Sequence, residues 1–422
     1  MIKRPRILVI SPYMCRGDTA SGDLRLQRII EQLVSFAEVD FLTTEAEPVL
    51  NPAARPYWSL LRKLGVRIVN SRFTECLPLW CRSRIQAYDW IFIEFWHLAF
   101  RLASILEVVR GESPTTKITI DSVDLHFLRE RAALDSGSLE YGSETDIELR
   151  QKQEISTYLR ADLVIACSRE DAQVLTAVCA KPSIVIPNLI KSQSRRRGTR
   201  GNVISFVGGF RHQPNVDAVL WFVRDVYPLI RARIPDAVFC IAGSHPPDVV
   251  LALRDIPGVE VLGYVDDTTR WLDSAAVSVA PLRYGAGMKG KVTEALSVGL
   301  PVVTTSVGAQ GLGATSGKHL RIADSEADFA QAVVETLEEP AIAEQMGLDG
   351  QALVESICGP QVVRRVLMES FNTCVPSTSR GFGGCVRWVA AQGTIMIWLL
   401  RSKAVRAVRK MKQRISFHQA VQ

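Results

Sequence analysis

The stretch Gly285-Ala-Gly-Met-Lys-Gly-Lys-Val-Thr-Glu294-Ala-Leu-Ser-Val-Gly299 decides which fold this sequence is expected to adopt. The uncharged run Ala276–Leu282 precedes it and predicts a buried strand, and Pro301 opens a second strand shortly after it. A short helical pattern lies between the two strands and stops at Gly299. A strand, a glycine loop, a helix and another strand in this order are typical of an α/β sheet with parallel strands.

The same stretch predicts a binding site for an anion. Small residues let the backbone approach a ligand closely, and the free N–H groups at a helix start carry a partial positive charge. Lys289 and Lys291 add two full charges, and Glu294 lies about one turn into the helix, within reach of a hydroxyl group beside a phosphate. A phosphorylated ligand with a sugar fits this pattern. An ordinary α/β loop, with solvated lysines and a glutamate that caps its own helix, fits it equally well.

Strand and helix patterns alternate on both sides of this stretch, which predicts two doubly wound α/β domains facing each other across a cleft. The first domain is expected at residues 1–190, a polar linker at 191–201, the second domain with its closing helices at 202–372, and a tail at 373–422. Helices are predicted at residues 23–36, 127–159 (largely exposed) and 215–234, and from 326 to 371. Strands are predicted at residues 6–11, 39–43, 66–69, 90–95, 117–123, 163–167, 183–186, 203–207, 237–242, 259–262, 276–282, 302–305 and 319–323.

The net charge of +6 comes from the end of the chain. Nine of the 50 basic residues and no acidic residue lie in 373–422, which leaves 41 basic against 44 acidic residues elsewhere. A nearly neutral body argues against a general nucleic-acid binder. The nine cysteines are scattered without a CxxC pair, which favours reduced thiols in a cytoplasmic protein over disulfides or a zinc site. The first apolar run is too short for a secretion signal and predicts a strand.

Two other turns place glycine between a strand and a helix. Ser21-Gly22 lies at the predicted start of the first helix, where free N–H groups suit a phosphate, although a simple N-cap also explains it. Gly208-Gly209 follows the strand 203–207. The first turn has no GxGxxG pattern, which argues against a nicotinamide or flavin site, and the chain has no nucleophile elbow, HExxH or Walker loop.

Together these segments resemble the glycosyltransferases of family 4, also called group 1, which have the GT-B fold of two Rossmann-like domains. The resemblance covers roughly residues 6–370. It implies a retaining, metal-independent transfer of sugar from a nucleotide-sugar donor to a glycan, lipid-linked or polysaccharide acceptor. No cofactor is implied, because the nucleotide-sugar is a co-substrate. The resemblance is carried by Phe206-Val-Gly-Gly, Pro214-Asn-Val-Asp-Ala, Leu262-Gly-Tyr-Val-Asp266, Val279 to Lys291, Glu294-Ala-Leu and Gly299 to Gly308, and less specifically by Ser21 to Arg25, Asp121 to Arg129 and Val185 to Asn188.

The resemblance implies a role for individual positions. Lys289 and Lys291 would neutralise the diphosphate leaving group, which is transition-state stabilisation without a metal ion. Glu294 would hold the ribose hydroxyls, and Asp124 and His126 would touch the donor sugar or the acceptor. The other positions implied in donor binding are Ser21, Gly22, Gly208, Gly209, Arg211, Tyr264, Val265, Gly287 and Met288.

Three positions depart from the family pattern. Ala286 stands where the first glutamate of the E-x7-E motif is expected, Gly209 where an arginine follows the strand glycine, and Val123 where a histidine precedes aspartate. Arg211 would then be the substitute that the resemblance implies for the missing arginine. His126 also fits a packed histidine at a helix start. Glu94 and His97 follow a strand and would line the acceptor side of the cleft, although capping of the next helix explains them as well.

The tail has a composition of its own. From 386 to 415, apolar residues that include Trp388 and Trp398 recur at helical spacing between Lys and Arg. Such a basic amphipathic helix is typical of an anchor on an anionic membrane, and the uncharged run within it is too short to span one. A helix packed on the body, or a disordered basic tail, is the alternative. The membrane reading places the protein in the cytoplasm, peripheral on the inner face of the membrane.

Two further functions stay open. One is a nucleotide-sugar epimerase on the same fold. The other is a non-catalytic scaffold that binds a nucleotide-sugar or a glycan, which Ala286, Gly209 and Val123 make credible.

Overall fold

The computed structural model describes residues 4–17, 21–44, 54–69, 84–135, 141–192, 201–285 and 287–374. The segment 386–415, Ala286 and residues 193–200 of the expected linker lie outside this set. Among the described residues, no helix combines the length and apolar character that a membrane-spanning segment needs.

The first sheet has seven parallel strands in the order β3-β2-β1-β4-β5-β6-β7. The chain reverses its direction of travel across the sheet between β1 and β4, and ligands of open α/β sheets bind at such a switch point. The strands are β1 (Arg6–Ser11), β2 (Glu38–Thr43), β3 (Arg67–Ile68), β4 (Trp90–Glu94), β5 (Lys117–Asp121), β6 (Leu163–Ala166) and β7 (Ser183–Val185).

The second sheet has six parallel strands in the order β10-β9-β8-β11-β12-β13, with its switch point between β8 and β11. Two parallel sheets with helices confirm the α/β class and the doubly wound architecture. The strands are β8 (Val203–Val207), β9 (Val238–Ala242), β10 (Val259–Gly263), β11 (Val277–Ala280), β12 (Val302–Thr304) and β13 (Arg321–Ile322).

Helices cover both faces of the sheets. In the first half they are α1 (Ser21–Leu33), α2 (Arg55–Lys63), α3 (Trp96–Arg101), α4 (Ala103–Glu112), α5 (His126–Asp135), α6 (Glu144–Tyr158) and α7 (Arg169–Cys179). In the second half they are α8 (Gln213–Trp221), α9 (Tyr227–Arg233), α10 (Asp248–Leu251), α11 (Thr268–Leu272), α12 (Gly290–Ser297), α13 (Glu326–Glu338), α14 (Pro340–Cys358) and α15 (Pro360–Thr373).

Two predicted strands are shorter than expected, for a shared reason. The strands predicted at 90–95 and 117–123 end at Glu94 and Asp121. Phe95 has φ 67° and Val123 has φ 61°, and a residue in this left-handed region turns the chain out of the strand. The backbone therefore changes direction at the carboxyl ends of β4 and β5, two adjacent strands.

Two predicted helices also differ from the structure. The exposed helical region predicted at 127–159 consists of α5 and α6, and Glu154, Thr157 and Tyr158 of α6 are buried because α6 packs on α3 and α5. The helix predicted at 215–234 consists of α8 and α9 joined by the wider π-turn Phe222–Val226.

The last helix packs on the first domain. Val363, Leu367 and Phe371 of α15 lie in the hydrophobic core that β1 and α1 build. The ring of Phe371 stacks on Trp90 of β4, with 4.3 Å between centroids. The boundary expected at 372 assigned this helix to the second domain, but α15 crosses to the first because its apolar face completes that core.

Candidate functional site

The carboxyl ends of β8 and β11 carry the predicted anion site. These strands are neighbours at the switch point of the second sheet, so the turn after β8 and the glycine loop after β11 lie side by side. The α12 helix begins at Gly290, directly after the loop, and Lys289 is its N-cap residue. The free N–H groups of α12 therefore point towards the site.

Asn215 joins the two turns. Its Nδ2 donates to the carbonyl oxygen of Gly209 at 2.7 Å, and its Oδ1 accepts from Nζ of Lys291. The Lys291 Nζ also lies 4.5 Å from the ring centroid of Phe206, a cation–π contact. Asn215 belongs to a motif that carries the family resemblance, but no role was predicted for it. In the structure it holds Lys291 beside the turn after β8.

Gly208 is required by this arrangement. A Cβ at this position would lie 2.9 Å from the Cγ and Nδ2 atoms of Asn215, closer than side chains tolerate. Gly209, in contrast, is exposed, and a Cβ there would meet nothing closer than 3.6 Å. Close packing against Asn215 therefore explains Gly208, and it does not explain Gly209.

Both lysines have a lowered pKa. Burial lowers the pKa of Lys291 to about 7, and the opposite charge of Glu294 limits the fall. Burial lowers the pKa of Lys289 to about 8, and the charge of Asp171 opposes this. The Nζ atom of Lys289 donates to the carbonyl oxygen of Gly287 at 2.5 Å. Two ammonium groups with lowered pKa gain most from an anionic ligand, because the ligand replaces the solvation that they lack.

The first domain reaches this loop at two places. A Cβ on Gly311 would lie 3.4 Å from the Cβ atoms of both Ser168, which caps α7 of the first domain, and Met288 of the glycine loop. The second place is Glu294. Burial raises its pKa, while the charges of Arg28 on α1 and of Lys291 oppose the rise. The sequence analysis did not identify Arg28, since a single basic residue on a helix carries no distinguishing signal.

The ends of β4 and β5 form the opposing half. Asp124 accepts from Nε2 of His126 at 2.9 Å and from Nη1 of Arg129. Burial would raise the pKa of Asp124, but these two neighbours hold it below its usual range. The His126 ring lies 5.9 Å from the ring of His97, so the structure brings three predicted residues together.

Val123 precedes this cluster in a strained conformation. A β-branched residue with φ 61° is an outlier, and such strain concentrates at functional sites. The start of α1 lies beside it, since a Cβ on Gly22 would be 3.9 Å from Cγ1 of Val123. Ser21 is the first residue of α1, so the predicted Ser21-Gly22 helix start meets the end of β5.

Glu94 is buried beneath this half. It is 1% exposed, its Oε2 accepts from the Ser11 hydroxyl at 2.6 Å, and its Oε1 has no partner among the described residues. Burial raises the pKa of Glu94 to about 8, and the adjacent Asp121 adds to the rise. The Arg25 guanidinium forms an ion pair with Asp121, with 2.5 Å between Nη1 and Oδ2. The positive charge that acts on Glu94 is therefore already paired with another carboxylate.

Three predicted donor residues, Arg211, Tyr264 and Val265, follow β8 and β10. Arg211 is exposed and lies 3.1 Å from Nε2 of His245. Tyr264 follows β10 and is 59% exposed, and Val265 is half-buried. Among the residues that the structure describes, no three His, Cys, Asp or Glu side chains form a cluster suited to a metal ion.

Residues 201–339 match the family model described as Glycosyl transferases group 1. The second domain is therefore similar to the group 1 glycosyltransferases over these residues. The matched segment contains Asn215, both lysines and Glu294, which the structure brings together.

A Klebsiella pneumoniae protein named "Uncharacterized 44.6 kDa protein in cps region" is similar to part of this chain. It is 26% identical to this chain over 139 residues, which are 31% of this chain. The match spans 36% of the Klebsiella protein.

Two solved structures are similar over most of the chain. The Anabaena protein Alr3699/HepE, in complex with UDP and glucose, has a TM-score of 0.61 and 16% identity, covering 87% of this chain and 100% of that one. Sucrose-phosphate synthase from Thermosynechococcus elongatus has a TM-score of 0.60 and 16% identity, covering 87% of this chain and 98% of that one. At such identities the likeness shows the fold, and the two described domains together have the GT-B fold that the sequence resembles.

Proposed function

We propose that this chain is a glycosyltransferase that moves a sugar from a nucleotide-sugar donor to a hydroxyl group of a glycan, lipid-linked or polysaccharide acceptor, with retention of configuration and without a metal ion. One observation carries the proposal. Lys289, Lys291 and Glu294 converge at the start of α12, beside the switch point of a group 1 glycosyltransferase domain.

The lysines stabilise the leaving group. The bond from the anomeric carbon to the diphosphate breaks, and negative charge develops on the leaving oxygen. Two ammonium groups and the free N–H groups of α12 stabilise that charge. Asn215 and the Phe206 ring hold Lys291 in place before the donor arrives, which lowers the reorganisation needed during the reaction.

Glu294 positions the nucleoside. Its carboxylate accepts hydrogen bonds from the ribose hydroxyls, at a distance of one helical turn from the diphosphate. Arg28 and Lys291 counter the effect of burial on its pKa and so favour the ionised, accepting form. Since Arg28 belongs to the first domain, it links ribose binding to the approach of the two domains.

The cluster of Asp124, His126 and His97 faces the sugar and the acceptor. Asp124 is ionised because His126 and Arg129 stabilise its charge, so it accepts hydrogen bonds from hydroxyl groups. The imidazole of His126 is oriented by Asp124 and offers a second polar contact. These residues bind and orient the sugar and the acceptor. The acceptor hydroxyl attacks the same face of the sugar that the diphosphate leaves, so the configuration is retained. The departing diphosphate receives the hydroxyl proton.

The names of two similar proteins support a substrate class. The Anabaena structure contains UDP and glucose, and the Klebsiella relative is named for a cps region. A uridine diphosphate sugar is therefore the first donor to test, and an acceptor from polysaccharide biosynthesis is the first acceptor class.

Titration calorimetry with UDP, GDP, ADP and CDP tests donor binding, and release of the nucleotide from the matching sugar donors tests turnover. We expect one nucleotide to bind in the micromolar range without a divalent cation, at about −8 kcal/mol, and its sugar donor to be consumed when acceptor is added. Absence of nucleotide binding would contradict the proposal.

A donor-binding scaffold is the second candidate. Val123 favours it, because an apolar side chain stands where the resembled family has a histidine beside the aspartate. Tight nucleotide binding without turnover of any donor, in the same assay, would decide for the scaffold.

Location is a separate proposal that rests on the sequence. We infer that the protein works in the cytoplasm and that its tail, through 386–415, holds it on an anionic membrane face. Co-sedimentation with anionic and neutral vesicles, for the full chain and for a chain ending at 374, tests this. Equal sedimentation of the two chains would contradict it.

A further inference from the structure

We propose that Glu154 is a positioning residue for His126, and that from a different helix it sets the geometry of the acceptor half, the cluster of Asp124, His126 and His97 after β4 and β5. This inference rests on the proposed function and adds to it a residue that the sequence did not single out. The residue belongs to α6, whereas His126 is the first residue of α5.

The contacts of Glu154 are directed at one helix start. Its Oε1 accepts from the backbone N–H of His126 at 3.1 Å, and its Oε2 accepts from the N–H of Phe127 at 3.0 Å. The first N–H groups of a helix have no partner within the helix, and an anion is favourable there. A carboxylate from α6 therefore caps α5.

The carboxylate is itself held. The Tyr158 hydroxyl, one turn further along α6, donates to Oε1 at 2.8 Å, and both side chains are completely buried. Burial raises the pKa of Glu154 to about 7, and the Tyr158 hydroxyl, the charge of His126 and the two backbone N–H groups oppose that rise. Burying a carboxyl group costs free energy unless its oxygens are hydrogen-bonded. Here each oxygen accepts from a backbone N–H at the start of α5.

His126 is consequently fixed at two points by two carboxylates. Glu154 binds its backbone N–H, and Asp124 binds its ring at Nε2. One residue separates Asp124 from His126, and both follow the strained Val123. A shift of the start of α5 therefore moves the His126 ring relative to Asp124. Small displacements of a catalytic or binding group cost as much as about 100-fold in rate.

The experiment compares the full chain with Glu154→Gln, Glu154→Asp and Glu148→Gln. The glutamine has the same shape but presents an NH2 group to one backbone N–H, and the aspartate is one methylene too short to reach both. Glu148 is an exposed carboxylate on the same helix and serves as the matched control. Amide hydrogen exchange at His126 and Phe127, the affinity for the nucleotide diphosphate, and the rate of sugar transfer are measured.

In Glu154→Gln we expect faster exchange at both amides, unchanged nucleotide affinity, and a transfer rate lower by about tenfold or more. Glu154→Asp is expected to show a smaller change of the same sign and decides the matter if the glutamine variant does not fold. Glu148→Gln should match the wild type in all three measurements. Loss of nucleotide affinity together with rate would indicate a merely structural role and overturn the proposal.

Exchange separates this proposal from the proposed function. If the wild-type chain transfers no sugar, the proposed function fails, yet faster exchange at His126 and Phe127 in Glu154→Gln still supports the positioning role. Unchanged exchange at both amides in Glu154→Gln and Glu154→Asp would overturn it, whatever the rate of transfer.

Discussion

The two halves of the site are built in different ways. In the second domain, Lys289, Lys291 and Glu294 come from six consecutive residues of one loop and one helix. In the first domain, the corresponding groups come from the ends of two strands and from separate helices, and they are joined through buried carboxylates such as Glu154. The half in the second domain, the donor half, comes from one segment, so local structure holds its geometry. In the first domain, packing between separate segments holds the geometry of the acceptor half.

Strain follows the same division. Of the described residues, those other than glycine with positive φ are Phe95, Val123, Ala180 and His245. Phe95 and Val123 end the two strands that carry the acceptor half, whereas the loop before α12 uses Gly285 and Gly287 for its positive φ angles. Glycine adopts these angles without strain. In the second domain, glycine residues therefore allow the turn before α12. In the first domain, the packing of surrounding residues holds the strained turns after β4 and β5.

Removing the charge of Lys291 is the largest expected change in the donor half. Lys291→Ala should lower the rate of sugar transfer by about 100-fold to 1000-fold, because a preorganised charge at the leaving group is lost. Lys318→Ala, which removes an exposed lysine of the same domain, is the control and should leave the rate unaltered. Steady-state release of nucleotide measures both. A wild-type rate in Lys291→Ala would remove the lysine from the mechanism.

The pH dependence of nucleotide binding sharpens the same point. The pKa of Lys291 is about 7 and that of Lys289 about 8 in the free protein. Both lysines lose their proton as the pH rises, so affinity for a nucleotide diphosphate should fall above the lower of the two pKa values, by at most about tenfold per pH unit for each proton. Calorimetry from about pH 6 to about pH 9 measures this. In Lys291→Ala the remaining fall should begin near the pKa of Lys289, and an unchanged profile would contradict the assignment.

Asn215→Ala tests whether the donor half also depends on packing. The change removes the acceptor for Lys291 and the donor to Gly209, and we expect about a tenfold loss of transfer rate with a folded protein. Asn202→Ala serves as the control, because Asn202 donates to Asp236 and lies at the amino end of β8, the end opposite to the site. Equal rates in the two variants would show that Asn215 is not needed to hold Lys291.

Strain in the first domain predicts an effect on stability. Val123→Gly should raise the free energy of unfolding by about 1 kcal/mol, because glycine accepts the positive φ of this residue and the gain exceeds its larger entropy in the unfolded chain. Val203→Gly, at the first residue of β8, should lower it, since glycine weakens a strand. Urea unfolding measures both, and a loss of stability in Val123→Gly would contradict the strain.

The last expected effect concerns the buried carboxyl group of Glu94. Its pKa is raised from 4.5 to about 8 in the folded protein, so the folded state holds a proton that the unfolded state has released between these values. Stability from this proton is present below the lower value and lost as the pH rises through the upper one. Glu94→Gln removes that titration, so its free energy of unfolding should improve relative to the wild type across this window. A constant difference between the two proteins would refute the shift.

The sequence predicted the donor half because its residues are neighbours. The strand before the loop, the start of α12 and the positions of Lys289, Lys291 and Glu294 all follow from spacing. The family resemblance was carried in part by the same segment, and the family model matches residues 201–339. The bridge through Asn215 was missed, because residues 76 positions apart give no signal until β8 and β11 pair.

The acceptor half was predicted in part. Asp124, His126 and His97 were named, and the structure brings them together. Glu154 was not predicted, because the polar composition of 127–159 indicates an exposed helix, whereas this carboxylate is buried. A buried carboxylate looks the same in sequence as a solvated one, and only its hydrogen-bond donors distinguish the two.

The sequence by itself determined the α/β class, the alternation of strands and helices, and the cationic loop after β11, since these depend on periodicity and on residues close together in the chain. Tertiary structure decided where α15 packs, which carboxylates are buried, which turns are strained, and that Arg28 acts on Glu294 from the other domain. These features arise from burial and from electrostatic contacts between distant segments, and their energies exist only when the segments meet.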